Sequence, residues 1–163
     1  MDIGSKAGYP VSALSNFAPH RFVFDDVECS SMEGLVQSFK FDKFHIQVEV
    51  CKLVGLAAKR RGQKRNKAWK RAQKLWWRGV EYDRHGPEYQ MLLDRAFGAL
   101  AQNDSFRRAL LATGKSTLTH SIGKSDPSDT VLTEREFCNK LERSNGDSLL
   151  SCSLAATAAL SLK

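Results

Sequence analysis

Glu33, Gln37 and Lys40 stand at positions i, i+4 and i+7. If the segment from Ser31 onward is helical, this spacing puts a carboxylate, an amide and an amine on one face. Met32, Leu35, Val36 and Phe39 recur at helical spacing and form an adjacent apolar stripe. One helix would bury that stripe and aim three polar groups at a common volume. An acid, a neutral hydrogen-bonding group and a potential nucleophile in one hollow suit polar chemistry. Lys40 is flanked by Phe39 and Phe41. An amine in apolar surroundings loses basicity, which a nucleophilic lysine requires. A plainer reading competes for Glu33, because Ser30-x-x-Glu33 has the spacing of a helix capping box.

Other chemistries find little support. His20, His45, His85 and His120 lack metal-ligand spacing, so no metal is expected. There is no Gly-x-Ser-x-Gly elbow, phosphate loop or dinucleotide fingerprint, and no cofactor is expected. Cys29, Cys51, Cys138 and Cys152 are too scattered for a zinc knuckle or redox pair. Cys51 and Cys138 fall at apolar periodic positions and read as buried free thiols.

Charge is distributed unevenly. The formal net charge is +7, yet ten cations lie between Lys59 and Arg78 with no acid among them, leaving −3 elsewhere. Such a segment is either a solvated helix face or a surface for polyanions. Trp69, Trp76 and Trp77 are expected on this basic helix, roughly Asn66 to Trp77, as core anchors or base-stacking platforms.

The elements that must position these residues read as mainly helical, with a small antiparallel β element near the N-terminus. Arg21–Phe24 and Val27–Cys29 form a hairpin with Asp25-Asp26 in the turn. Ser30 or Ser31 caps the Glu33 helix. A second helix is expected from Ile46 to about Lys59, with Gly62 breaking the chain before the basic helix. Tyr89 to Leu100 follows helical spacing, and Asn103-Asp104 starts another helix with Gly114 as its C-cap. Residues 116–130 read as a loop, and Thr133 with Glu136 opens a last helix through a capping box. The 163 residues fit one compact domain at 12–143, with flexible tails at 1–11 and 144–163. No apolar run approaches the ~20 residues of a bilayer span, and no signal core opens the chain. A soluble intracellular protein of cytoplasm or nucleus is expected, its oligomeric state open.

Leu14-Ser15-Asn16-Phe17, a hairpin, and then Ser31-Met32-Glu33 running to Gln37, Lys40 and Phe41 resemble the opening signature of the NADAR, or YbiA-like, family. Ala58-Lys59 with Gly62, then Gln102-Asn103 and Leu110 to Gly114 with Leu118, resemble later family segments. The likeness covers roughly Leu14 to Leu118. Thr119 and His120 stand where the family commonly has an acid, and no tryptophan follows Asp126. The resemblance implies a YbiA-like α+β fold and cleavage of N-glycosidic bonds. One branch of the family removes ADP-ribose from guanine in nucleic acid; another acts on ribosylated intermediates of the riboflavin pathway. A non-catalytic ADP-ribose or nucleic-acid binding module is the remaining alternative. Under the first reading Glu33 and Lys40 are catalytic. Ser15, Asn16 and Gln37 hold ribose hydroxyls and diphosphate, and Arg61 neutralises phosphate. Phe17, Trp77, Asn103, His120 and Asp126 complete the expected substrate contacts. The implied partner is ADP-ribosylated nucleic acid or a free ADP-ribose-like nucleotide, with no membrane.

Overall fold

The computed structural model describes residues 1–160, without the side chains of Cys152 and residues 155–160. Its fold is α+β, mainly helical with two small antiparallel hairpins.

The first hairpin pairs β1 (Phe22–Phe24) with β2 (Val27–Cys29), in register Phe22 to Cys29. Alternation puts Phe22, Phe24, Val27 and Cys29 inside and leaves Val23 and Glu28 outside. Asp25 and Asp26 both take positive φ, as a tight two-residue turn demands. The Asp25 carboxylate accepts from the Trp77 indole at 2.9 Å and from Arg95 at 2.8 Å, tying the turn to two other elements.

Helix α1 (Val11–Leu14) precedes this hairpin and α2 (Met32–Ser38) follows it. Ser31 caps α2, its hydroxyl accepting from Gly34 N at 3.1 Å and donating to Leu53 O at 2.9 Å. The expected single helix from Ile46 to Lys59 is instead two, α3 (Phe44–Cys51) and α4 (Gly55–Gln63). Val54 is extended and Gly55 sits at φ +55°, a break that lets Leu53 meet Ser31. Gly62 does not break the chain; it lies inside α4. It is there for contact: a Cβ would stand 1.8 Å from Gln37 Oε1.

The basic helix is shorter than its pattern suggests. Helix α5 spans Asn66–Ala72 and ends at Gln73, which adopts the left-handed conformation. Trp76 and Trp77 therefore lie on a strand, β3 (Lys74–Trp77), paired with β4 (Val80–Asp83). This second hairpin escaped the helical reading. Its turn is Arg78-Gly79, both at positive φ, and the aromatic pair suits a pleated surface. Gln47 fixes it from beneath: its amide donates to Phe41 O and Trp76 O and accepts from Arg78 N.

Helix α6 (Pro87–Leu100) carries the core, with Tyr89, Leu92, Leu93, Ala96, Phe97 and Leu100 all buried. Asn103 caps α7 (Asp104–Ala112), and Gly114 exits it at φ +56°. Thr133 and Glu136 form the expected capping box of α8 (Glu134–Leu160). Of the expected tails, 1–11 and 144–163, residues 161–163 lie outside the described residues. Ile3 is fully buried and its N–H bonds Thr119 O, so the first residues of the leader are docked. Residues 144–160 continue α8, where Asn145 donates to Gly114 O at 2.8 Å. Cys29 and Cys51 are buried free thiols, whereas Cys138 is half-buried.

Gly62→Ala should destabilise the fold by about 1–3 kcal/mol, the usual cost of overpacking. Gly98→Ala, in α6 with open space around it, should stabilise by about 0.5–1 kcal/mol. Urea melts of both variants check the pair.

Candidate active site

The site begins with the junction of two segments. Glu33 N donates to Asn16 O at 3.0 Å, pinning the Leu14–Phe17 segment to the first turn of α2. Ser15 stabilises this turn locally, accepting from Phe17 N at 3.2 Å. Because Ser31 is the cap, Glu33 is not the capping-box acid that Ser30-x-x-Glu33 suggests. Its carboxylate instead accepts from Gln37 Nε2 at 2.9 Å, one turn along.

Lys40 follows the end of α2. Its Nζ donates to Asn66 Oδ1 at 2.8 Å, and the same oxygen accepts from the Trp69 indole at 3.2 Å. Glu33, Gln37 and Lys40 are 8, 7 and 5 % exposed, so none of the three sits in bulk solvent. Among the described residues neither Glu33 nor Lys40 belongs to an ion pair. Burial raises the Glu33 pKa above its ordinary value, against the lowering effects of the Gln37 hydrogen bond and of Lys59 and Lys40. Burial also pulls Lys40 down to about 8, helped by Lys70, Lys124 and Lys59 and opposed by Glu33. Both shifts favour the uncharged forms.

These groups line one cavity of about 360 Å³. One wall is α2 with Asn16. A second is α4 and α5, contributing Lys59, Gln63 and Asn66. The third is the irregular segment from His120 to Leu132. Asn16 Oδ1 is buried without a hydrogen-bond partner, an acceptor waiting for a donor. His120 Nδ1 lies 2.8 Å from Ile3 O. A carbonyl only accepts, so Nδ1 carries the proton and, in the neutral ring, Nε2 is an acceptor. The third wall is held by side chains: Arg84 donates to Thr130 O, Gln73 to Ser128 O and Tyr89 to Val131 O. Arg84 also grips Glu136 with two bonds of 3.0 and 2.9 Å.

Of the residues expected from sequence, Asn16, Glu33, Gln37, Lys40 and His120 line the cavity. The others lie off its wall. Phe17 packs beside Gly55, with Lys59 Nζ 5.9 Å from its ring centroid. Arg61 lays its guanidinium 4.7 Å from the Phe41 centroid. Trp77 is 2 % exposed, stacked on Phe24 and edge-on to Phe39 and Phe44, which leaves no face for a substrate. Asn103 caps α7 and donates to Arg21 O. Asp126 is exposed and accepts from Ser128 N within its own turn. Sequence reasoning missed Asn66, Gln63 and Lys124. Only Asn66 carried a local signal, as a polar residue opening a helix.

The comparisons agree with this architecture. The chain is similar in fold to the E. coli protein YbiA, solved by NMR, with a TM-score of 0.62 and 15% identity over 93% of this chain and 85% of that one. It is 38% identical over 143 residues to an uncharacterized 17.1 kDa protein of the Gp30-rIII intergenic region of Enterobacteria phage T4. That match covers 86% of this chain and 93% of the phage protein. The family description of bacteriophage protein GP30.3 matches residues 8–145. The fold is YbiA-like, and by sequence the chain belongs to the bacteriophage GP30.3 family.

Proposed function

We propose that this protein is an N-glycosidic hydrolase that removes ADP-ribose from guanine in nucleic acid. The observation that carries the reading is the pairing of a buried carboxylate and a buried amine, unpaired to each other, in a cavity sized for a nucleotide. Small-molecule pockets run from roughly 300 to 1,000 Å³, and this one is about 360 Å³. The NADAR-like signature supplies the substrate class.

The chemistry follows from the charge states. Breaking the bond from the ribose anomeric carbon to nitrogen leaves the electron pair on the base and positive charge on the sugar. Protonated Glu33 gives its proton to the departing base, and its carboxylate then faces the sugar cation. The neutral Lys40 amine bonds the anomeric carbon, ring opening yields a Schiff base, and water displaces the amine to release free sugar. Asn66 holds Nζ in place throughout. Asn16 accepts from a ribose hydroxyl, and Lys59 and Lys124 face the diphosphate. His120 closes the cavity from the third wall. The partner is then ADP-ribosylated nucleic acid, met inside the cell, without cofactor or metal.

A compact ribosylated intermediate of the riboflavin pathway is the second reading. It is favoured by the modest size of the cavity, about 360 Å³, and it predicts turnover that salt barely alters.

Incubation with ADP-ribosylated guanosine oligonucleotide, and in parallel with the riboflavin intermediate, separates the two by product mass. Borohydride added during turnover should increase the protein mass by one reduced sugar, and Lys40→Met should lose that adduct. An active enzyme that never traps leaves glutamate-only hydrolysis.

Glu33→Gln should lower kcat by about 10²–10⁴ while its melting temperature holds or rises, since a buried acid is replaced by a neutral amide. A large loss of stability with activity retained would make Glu33 structural.

The pH profile follows from the two shifts. A reaction needing protonated Glu33 and neutral Lys40 has a bell-shaped profile, flat between the two pKa values, of which that of Lys40 is about 8, and falling about tenfold per unit on either side. In Lys40→Met the acid-side limb should vanish from any residual activity, leaving only the fall with rising pH that Glu33 deprotonation imposes.

Stability responds to the same amine. The folded Lys40 pKa lies below the unfolded value of 10.5, so the unfolded chain binds the proton better. Stability is therefore reduced below about pH 8 and recovers as pH rises from there toward 10.5. Lys40→Met should raise stability at pH 7 by up to about 3 kcal/mol and abolish that recovery, as thermal melts across pH would show.

A further inference from the structure

We infer that the surface of α4 and α5 outside the cavity holds the phosphodiester backbone of a nucleic-acid strand. This rests on the cavity taking an ADP-ribosyl group, and it names what lies beyond that group. The cations of the basic segment divide by position. Lys59 lines the cavity, where Lys124 joins it from the third wall. Arg60, Lys64, Lys67 and Arg71 line no part of it and are exposed. Arg61 and Arg65 lie beside Lys40, their guanidiniums 4.7 and 5.9 Å from the Phe41 ring centroid.

Among the described residues only Lys70, of the ten cations, has an ion pair, 3.3 Å to Asp129. Surfaces normally intersperse both signs, because clustered like charges repel. A ligand confined to the cavity leaves the outer cations uncompensated. A chain of phosphates leaving the cavity meets them one after another and releases its counterions. Arg61 and Arg65 add planar forks backed by an aromatic ring and free of carboxylates, a geometry suited to phosphate oxygens. A lipid surface fits less well. Along α4 and α5 the only large exposed apolar side chain is Leu56, too little for insertion into a bilayer.

The test is titration of the full chain with an unmodified single-stranded oligonucleotide between 50 and 200 mM salt, with phosphatidylserine vesicles in parallel. Binding should weaken with salt by about 0.7 log units per log salt for each phosphate engaged. Lys67→Glu with Arg71→Glu should weaken it at least tenfold and flatten the slope by about 1.4, with an unchanged melting temperature. Should that pair fold poorly, Arg60→Glu with Lys64→Glu is read in the same way. Glu33→Gln should bind the oligonucleotide as the parent does. The inference is overturned by absent or salt-insensitive binding, by unaffected charge-reversal variants, or by vesicles that bind as tightly. Strand binding without any hydrolysis removes the proposed reaction and leaves the surface. Hydrolysis of ADP-ribosylguanosine without strand binding removes the surface and leaves the reaction.

Discussion

Two ionisable side chains of α2 and its exit are buried without neutralising each other, and the rest of the site is arranged around that cost. Glu33 keeps one hydrogen bond, from Gln37, and Lys40 keeps one, to Asn66. Neither contact cancels a charge. Isolated buried charges are expensive, and such groups shift toward their neutral forms instead. Packing enforces the burial. A Cβ on Gly34 would stand 2.7 Å from Leu53 O, and one on Gly62 would overlap the Gln37 amide. Helix α2 therefore lies against α3 and α4 at a separation only glycine permits. A wider gap would let water reach the carboxylate and restore its ordinary acidity.

The third wall shows how a segment without regular structure can still present a fixed surface. Backbone carbonyls in a loop need partners as much as those in a helix. Here Gln73 just past α5, Arg84 just past β4 and Tyr89 on α6 supply them, and Glu134 N takes Lys124 O. The docked start of the chain does the same at the other end, where Ile3 N donates to Thr119 O, and the Asp2 carboxylate in turn accepts from the Thr119 hydroxyl and from Ser121. Arg84 is 1 % exposed and shares its guanidinium between Glu136 and Thr130. Removing it would take two hydrogen bonds from the half-buried Glu136 carboxylate and one from Thr130 O together, so it supports the site without touching the cavity.

What was legible in the sequence was periodic or local. The apolar stripe of α2, the alternation of the first hairpin and the Thr133–Glu136 box are signals carried within a few residues, and each formed. What was not legible depended on distant partners. The aromatic pair Trp76-Trp77 suits a strand, but what ends the basic helix before it is the left-handed Gln73, and what seats the strand is Gln47 reaching Phe41 O and Trp76 O. Trp77 was expected to meet substrate, yet three aromatic rings and Asp25 claim it. In the site, the helical spacing of Glu33, Gln37 and Lys40 identified one wall. Asn66 and Lys124 lie 26 and 84 residues beyond Lys40, and no pattern within α2 could announce them.

The basic segment ties stability to the site. Lys59, Lys70 and Lys124 all push the Lys40 amine toward neutrality, while Glu33 pulls the other way. Positive field near the cavity thus weakens a lysine as a base and raises its neutral fraction as a nucleophile. The same field attracts a polyanion and partly shields the buried carboxylate. A bound phosphate chain would oppose that field and return some basicity to Lys40. A phosphate set against Lys59, Lys70 or Lys124 would thus oppose amine activation, as the diphosphate in the proposed reaction would in part, whereas a phosphate held by the outer cations would disturb Nζ less.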